Sequence, residues 1–469
     1  MLYVNFRHIS IFYQSFFIFY LLFILCIVIY KMSVSKKYLS VQPNNVPSTG
    51  KVSFARGNPI LTITLGRQDA MLDLSSLRLS GDLNVWRDAA GTLHPTATAG
   101  QAPELRGSHK LGIYSVIDQL VFRHAETKQV IEHIRNYGRF MSSYMPVMAG
   151  MQDVSGHLGE TALIYPNYQS YRDSVIRNTR ESPFCIPLPS GLTLGADKLP
   201  LSKLPLEIEI HLAPDSQVFY SSDATTAGVS NAFYELSGLE VACEVEYGVP
   251  APDSGLLSFN SITSYFTTLE STNSIVNFNL GLSKVLATFV NFVPSSFVNN
   301  LAQDGFLTYM PTKAAAANGT DDGGVANLET ISFLRNGERF PSSFEVSSVR
   351  SASNETPVVD PQVIKGFMSS IIPEKVHTRT TVSPLNSNRN FTATQNAVTG
   401  YRFIPDTGAA YGVGVLYDML DSEGVDFSQS QFSIQMTNGL DDGNPVSAYL
   451  FIKSKVVVAW SGMGVQVVM

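Results

Sequence analysis

Residues 239–247 (LEVACEVEY) set an apolar side chain at every second position, Leu239, Val241, Cys243, Val245 and Tyr247, with Glu240, Glu244 and Glu246 between them. A period of two puts the two sets on opposite faces of an extended strand. The pattern recurs along the chain. Residues 206–212 (LEIEIHL) oppose Leu206, Ile208, Ile210 and Leu212 to Glu207, Glu209 and His211. Residues 76–86 (SLRLSGDLNVW) oppose Leu77, Leu79, Leu83 and Val85 to Arg78, Ser80, Asp82 and Asn84. Such a chain must build sheets with one dry face, so each sheet needs a second layer over it.

The same rhythm predicts strands over 60–65, 115–124, 274–282, 284–293, 330–334, 344–349, 432–436, 448–453 and 456–460, with a last short one over 464–469. Asn336-Gly337 between two of them is a two-residue hairpin signal. Two segments carry a helical period instead. In the first, Ile134, Tyr137, Met141, Tyr144 and Met145 form an apolar stripe, with Arg135, Arg139, Ser142 and Ser143 opposite and Pro146 expected to end or kink the helix. The second is a short helix opened by Pro361 and carrying Val363, Ile364, Phe367, Met368 and Ile371. Residues 248–255 (GVPAPDSG) have no apolar period and sit near the middle of the 469-residue chain. The expected fold is all-β: two tandem β-sandwiches with a few short helices. Residues 1–31 form an apolar segment, 32–51 an N-terminal arm, 52–249 the first sandwich, 250–255 a linker and 256–469 the second.

One stretch breaks the rhythm before a clean strand. Residues 183–213 begin PFCIPLP, pass through a Gly/Pro loop and end in the alternating 206–212. Pro187 and Pro189 withhold backbone donors, which confines 184–188 to a sheet edge or an extended approach to one. Pro200 and Pro205 keep the connection extended until Leu206 enters the sheet.

Charged residues make up 15% of the chain, against roughly 25% in ordinary soluble domains. A low-charge, aromatic-rich surface suits large permanent interfaces. The net charge of −7 argues against a basic nucleic-acid-binding module. Three cysteines, Cys26, Cys185 and Cys243, make no disulfide framework, and Cys185 and Cys243 are expected as small buried hydrophobes. There is no phosphate-binding Gly-rich loop, nucleophile elbow, H-E-x-x-H or C-x-x-C, and the eight histidines are scattered without an H-x-H pair. His124 and His133 flank a predicted turn, and Asp321-Asp322 and Asp441-Asp442 lie beside glycines as turn tips. Strand carboxylates at every second position mark the wet side of a sheet rather than a glycosidase pair, which belongs in a cleft. No catalytic, cofactor-binding or metal-binding residue is expected, and no cofactor.

Residues 9–30 carry no charge and are long enough for a membrane span, which takes ~20 residues. Arg7 precedes them and Lys31, Lys36 and Lys37 follow. Two readings compete: a signal-anchor helix, or translated upstream sequence ahead of a start at Met32. Membrane contact is expected only under the first. Sequons at Asn318, Asn354 and Asn390 matter only if the chain is secreted.

Four stretches, by order and spacing, resemble the double jelly-roll major capsid proteins of polinton-like viruses, virophages and their relatives. They are FCIPLPSGL (184–192) running through LPL (199–201) to LEIEI (206–210); ISFLRNGERFP (331–341); YGVG (411–414) with GVDF (424–427); and YLFIKSK (449–455). The resemblance covers roughly 50–469 and lacks the N-terminal apolar segment, which favours Met32. It implies two upright jelly rolls per subunit, three subunits per pseudo-hexagonal capsomer, and capsomers tiling an icosahedral shell. The implied partners are the chain itself, as homotrimer and neighbouring capsomers, a single jelly-roll penton protein and other minor capsid proteins, with no specific nucleic-acid binding. The implied location is the virion, after assembly inside the host cell. The alternative is a membrane-anchored β-sandwich binding protein, a lectin-like ectodomain or viral spike. A jelly-roll enzyme lacks its metal ligands here.

Overall fold

The computed structural model describes residues 34–55, 57–86, 106–108, 111–148, 157–163, 182–196, 198–220, 233–271, 273–300, 305–306, 330–342, 346–347, 366, 369–371, 412–417, 424–437, 445–461 and 464–468. The apolar segment 9–30, the three sequons, both paired aspartates, Cys26 and most of the 361–371 helix lie outside them.

Eight principal strands build the first half: β1 (Ser35–Val41), β2 (Ile60–Leu65), β3 (Ala70–Trp86), β4 (Ile117–His124), β5 (Val130–Ile134), β6 (Ser182–Pro187), β7 (Leu206–Leu212) and β8 (Phe233–Tyr247), with short accessory strands at Lys51–Val52 on β8 and Lys198–Pro200 on β3 and a separate pair, Arg106–Gly107 with Phe219–Tyr220. One sheet runs β1-β8-β3-β6 and the other β2-β7-β4-β5, with every pairing antiparallel. Eight principal strands build the second half: β9 (Gly255–Leu269), β10 (Asn273–Phe278), β11 (Val285–Pro294), β12 (Thr330–Arg335), β13 (Glu338–Arg339), β14 (Val413–Leu416), β15 (Phe432–Thr437) and β16 (Val446–Ser461), with a short accessory strand, Val346–Ser347, on β12. Their sheets run β9-β16-β11-β14 and β10-β15-β12-β13. Numbered over these principal strands among the described residues, both sandwiches have the order 1-8-3-6 over 2-7-4-5. The chain holds one topology twice, without a detectable sequence repeat. A final strand, β17 (Gly464–Val468), adds to β16.

The alternating residues land as their period requires. Leu206, Ile208, Ile210 and Leu212 of β7 are buried in the first core, as are Leu77, Leu79, Leu83 and Val85 of β3. β6, with its prolines, lies at an edge and among the described residues pairs only with β3. Asn336 and Gly337 both adopt positive φ, 52° and 83°, and close the β12–β13 hairpin as a two-residue turn.

Several elements differ from the sequence reading. β1 lies within the stretch read as the N-terminal arm, 32–51, and pairs with β8 along its whole length. The two strands expected over 448–453 and 456–460 are one continuous strand, β16. Its first half is buried on both faces, so its run of apolar residues hides the alternation and mimics a separate element. Cys243 is buried, but Cys185 is exposed on the outward side of edge strand β6, and both thiols are free. The helix α1 spans Tyr137–Met148 and begins after Ile134, which belongs to β5; it runs past Pro146. The face of α1 read as polar is not wet: Arg139, Ser142 and Ser143 are all buried.

Candidate functional site: the seam between the sandwiches

Why are an arginine and two serines of this helix buried? α1 leaves the first sandwich after β5 and lies on the outward face of the second sandwich's β9-β16-β11-β14 sheet. Phe140 from α1 packs against Phe289 of β11 and Phe451 of β16, with ring centroids 6.4 and 6.0 Å away. Phe289 and Phe451 themselves stack at 5.2 Å. The Arg139 guanidinium is sandwiched between the rings of Phe306 and Tyr449, 4.7 and 4.8 Å from their centroids, and donates to the Gly305 carbonyl. A cation between two aromatic faces keeps electrostatic compensation where water is absent. The Asn291 side-chain amide donates to the Arg139 carbonyl and to Ser143 Oγ, and Ser264 Oγ donates to the Arg135 carbonyl at 2.7 Å. These residues of α1 therefore serve the second sandwich, which a single-helix pattern does not reveal.

A second contact lies at the edge of that sheet. Glu132 of β5 is fully buried and is held by backbone N–H groups. Its Oε1 accepts from the backbone N–H groups of Gly191 (3.1 Å) and Ile262 (2.9 Å), and its Oε2 from Leu192 (2.9 Å). Gly191 and Leu192 open a five-residue helix, α2 (Gly191–Gly195), whose Ser190–Thr193 capping box fixes the turn. Ile262 belongs to edge strand β9, so one carboxylate ties two segments of the first half to the second. Burial raises the Glu132 pKa, opposed by the Leu192 and Ile262 amides and the Ser190 and Ser261 hydroxyls. Contact here leaves no room for a side chain at 191: a Cβ on Gly191 would stand 2.0 Å from the Asn260 carbonyl oxygen. Trp460 Nε1 donates to the Pro252 carbonyl at 3.2 Å, fastening the connection between the halves.

The strand carboxylates are engaged rather than simply solvated. Glu207 is buried against Lys128, and Glu209 lies 3.2 Å from Arg123 and 2.5 Å from His211. Glu246 is also buried, between Lys36 (3.1 Å) and Lys198 (2.6 Å). The two lysines, Lys198 foremost, hold its pKa below the usual carboxylate range. Ser40 and Ser80 both donate to Glu240. His124 and His133 do not meet in the hydrogen bonding: His124 accepts from the Thr127 N–H, and His133 pairs with Gln119 at 2.9 Å. Among the described residues no group of three or more His, Cys, Asp or Glu side chains could hold a metal ion, and no helix is long and apolar enough to cross a membrane.

No protein-family model and no curated protein matches the sequence. Solved structures do match in shape. The cryo-EM structure of the Sputnik virophage gives a TM-score of 0.51 at 11% identity, over 93% of this chain and 88% of the other. The PBCV-1 virus capsid gives 0.51 at 11%, over 93% and 97%. The Faustovirus major capsid protein gives 0.51 at 9%, over 91% of each. The chain is a double jelly roll. The doubled 1-8-3-6 and 2-7-4-5 strand order is that fold's own signature, and the match spans both jelly rolls rather than one.

Proposed function

We propose that this chain is the major capsid protein of an icosahedral virus, a structural rather than a catalytic subunit. The observation that carries the reading is the seam. Two jelly rolls of identical topology are joined by a dry, aromatic contact and a buried carboxylate, so each chain presents a fixed pair of upright-barrel units. A rigid pair is what a three-chain ring of near six-fold outline needs, because three-fold symmetry then yields six similar blocks. Capsid proteins of the same fold over nine-tenths of this chain support it. In this reading 52–249 and 256–469 are the two blocks and 250–255 their linker, with β1 of the arm completing the first sheet. The protein acts in the virion shell, meeting other copies of itself, a single jelly-roll penton protein and minor capsid proteins, and takes no cofactor.

Native mass spectrometry of the purified protein tests this directly: trimers are expected, and negative-stain images of the source material should show icosahedral particles carrying this chain. A stable monomer without particles would overturn it.

A further inference from the structure

The first strands of the two jelly rolls are held in unlike ways. β9 buries Phe259, Ile262 and Leu269. β1 has no fully buried residue, and only Leu39 and Val41 pack, half-buried, against the core. Three glutamates of β8 reach it instead across the outward face. Glu240 accepts from Ser40 Oγ at 2.6 Å, Glu244 accepts from the Tyr38 hydroxyl, and Glu246 lies 3.1 Å from Lys36 Nζ. Other elements set Ser80 and Asp73 of β3 beside these carboxylates, and Lys198 2.6 Å from Glu246. Arg78 of β3 donates to the Ser75 and Leu77 carbonyls, and Lys37 Nζ stands over the Tyr247 ring at 5.2 Å. The turn after β1 is fastened differently. Asn44 donates to Thr64 Oγ1 and Asn45 to the Ile60 carbonyl, each at 2.6 Å, and Asn45 accepts from the Thr62 N–H. These amide and hydroxyl contacts carry no charge to titrate.

We propose that β1 is an acid-released strap: protonation of Glu240, Glu244 and Glu246 frees residues 35–41 from β8, while Asn44 and Asn45 keep the strap hinged to β2. The inference goes beyond the capsid reading and does not depend on it. A protonated carboxyl loses its attraction for Lys36 and is a weaker acceptor for Ser40 and Tyr38, so the three clasps weaken together. A strand with few buried apolar contacts is where a fold opens first. The sign follows from the charges. Lys198 and Lys36 hold the Glu246 pKa below the usual carboxylate range, so its share of the docking is complete above that range and is lost as pH falls through the depressed value. Their bonds to carboxylates raise Lys36 and Tyr38, so both donors keep their protons at neutral pH. Glu132, beneath β9, responds the opposite way, so acid loosens β1 and not β9. Release bares the outer N–H and C=O groups of β8 from Val241 to Tyr247. It also uncovers Cys243, which lies in register with Leu39 and whose thiol burial pushes up to about 11.

The test uses the full chain with Cys26→Ser and Cys185→Ser, which leaves Cys243 as its single thiol. Glu240→Gln, Glu244→Gln and Glu246→Gln, combined, imitate the protonated state at neutral pH. The rate at which Cys243 reacts with a dipyridyl disulfide is expected to rise about tenfold or more over that background, with an unchanged denaturation midpoint. Amide hydrogen exchange of the unsubstituted chain gives a second reading that does not require the triple variant to fold. From neutral pH to about pH 4.5, after correction for the intrinsic rate, exchange is expected to rise about tenfold in the β8 amides bonded to β1. It should stay level in the β16 amides bonded to β9. Cys243 reactivity and β8 exchange that do not change, or exchange that rises equally in β8 and β16, would overturn the strap. Neither reading involves association between chains, so the capsid reading stands or falls separately.

Discussion

The two jelly rolls differ most on the outward faces of their 1-8-3-6 sheets. In the second, one row across the sheet reads Ser264, Phe451, Phe289 and Gly414, and it is sealed. In the first, a row reads Ser40, Ala242, Arg78 and Pro187, beside Tyr38, Glu244 and Asp73, and it is open or half-buried. One topology therefore carries two surface chemistries. The aromatic face belongs to a contact made once, within the chain, that water never re-enters. The carboxylate and lysine face stays half-buried or exposed, its charges held in ion pairs such as Lys36–Glu246. Lysines on the exposed first strand, Lys36 and Lys37, also discourage indiscriminate strand addition.

The contrast can be broken most severely at Gly191. A valine there collides with the Asn260 carbonyl and the Glu132 carboxylate, so Gly191→Val should cost about 5 kcal/mol or more, or yield no soluble chain. Denaturant unfolding measures it. Next comes the aromatic face itself. Phe451→Ala should destabilise by about 3–5 kcal/mol, whereas Tyr38→Ala on the open sheet should stay within about 0.5 kcal/mol in the isolated chain. Equal losses at the two positions would erase the distinction drawn here. Smaller again is the hairpin: Gly337→Ala forces a side chain into φ 83° and should cost about 1 kcal/mol, read as a shifted denaturation midpoint with unchanged slope.

The smallest effect sharpens the comparison through pH, because the desolvated Glu132 and the lysine-paired Glu246 respond oppositely. Burial raises the Glu132 pKa, so the folded chain keeps that proton where the unfolded chain has lost it. Its contribution falls as pH climbs from the ordinary carboxylate range through the raised value. Glu246 is depressed by Lys198 and Lys36, so its stabilisation is complete above the ordinary range and is lost as pH falls through the depressed value. In thermal unfolding across pH, Glu132→Gln should flatten the decline on the alkaline side, and Lys198→Met should flatten the loss on the acid side. The reverse assignment would contradict the placement of the two groups.

Much of the architecture was legible in the residues. Leu206 to Leu212, Leu239 to Val245 and the Asn336-Gly337 turn state their structure locally, because period two and positive φ are properties of a few adjacent residues. β16 was not, because residues dry on both faces lose the alternation that marks a strand. The seam was hidden more completely. The donors to Glu132 come from residues 59, 60 and 130 positions away and are backbone groups, which carry no side-chain signature. Arg139, Ser142 and Ser143 look like a wet helix face because the second jelly roll that covers them is more than a hundred residues distant in sequence.

The sequence alone determined that this chain is made of sheets, which face of most strands is dry, and where the Asn336-Gly337 turn and the proline-bounded edge fall. Those choices depend on backbone geometry and on side chains one or two positions apart. The tertiary structure decided which dry face is a core and which is a seam, which carboxylates are buried, and which first strand, β9 or β1, is covered. These depend on what stands on the far side of each surface, and that is set by packing between segments whose separation along the chain leaves no local pattern.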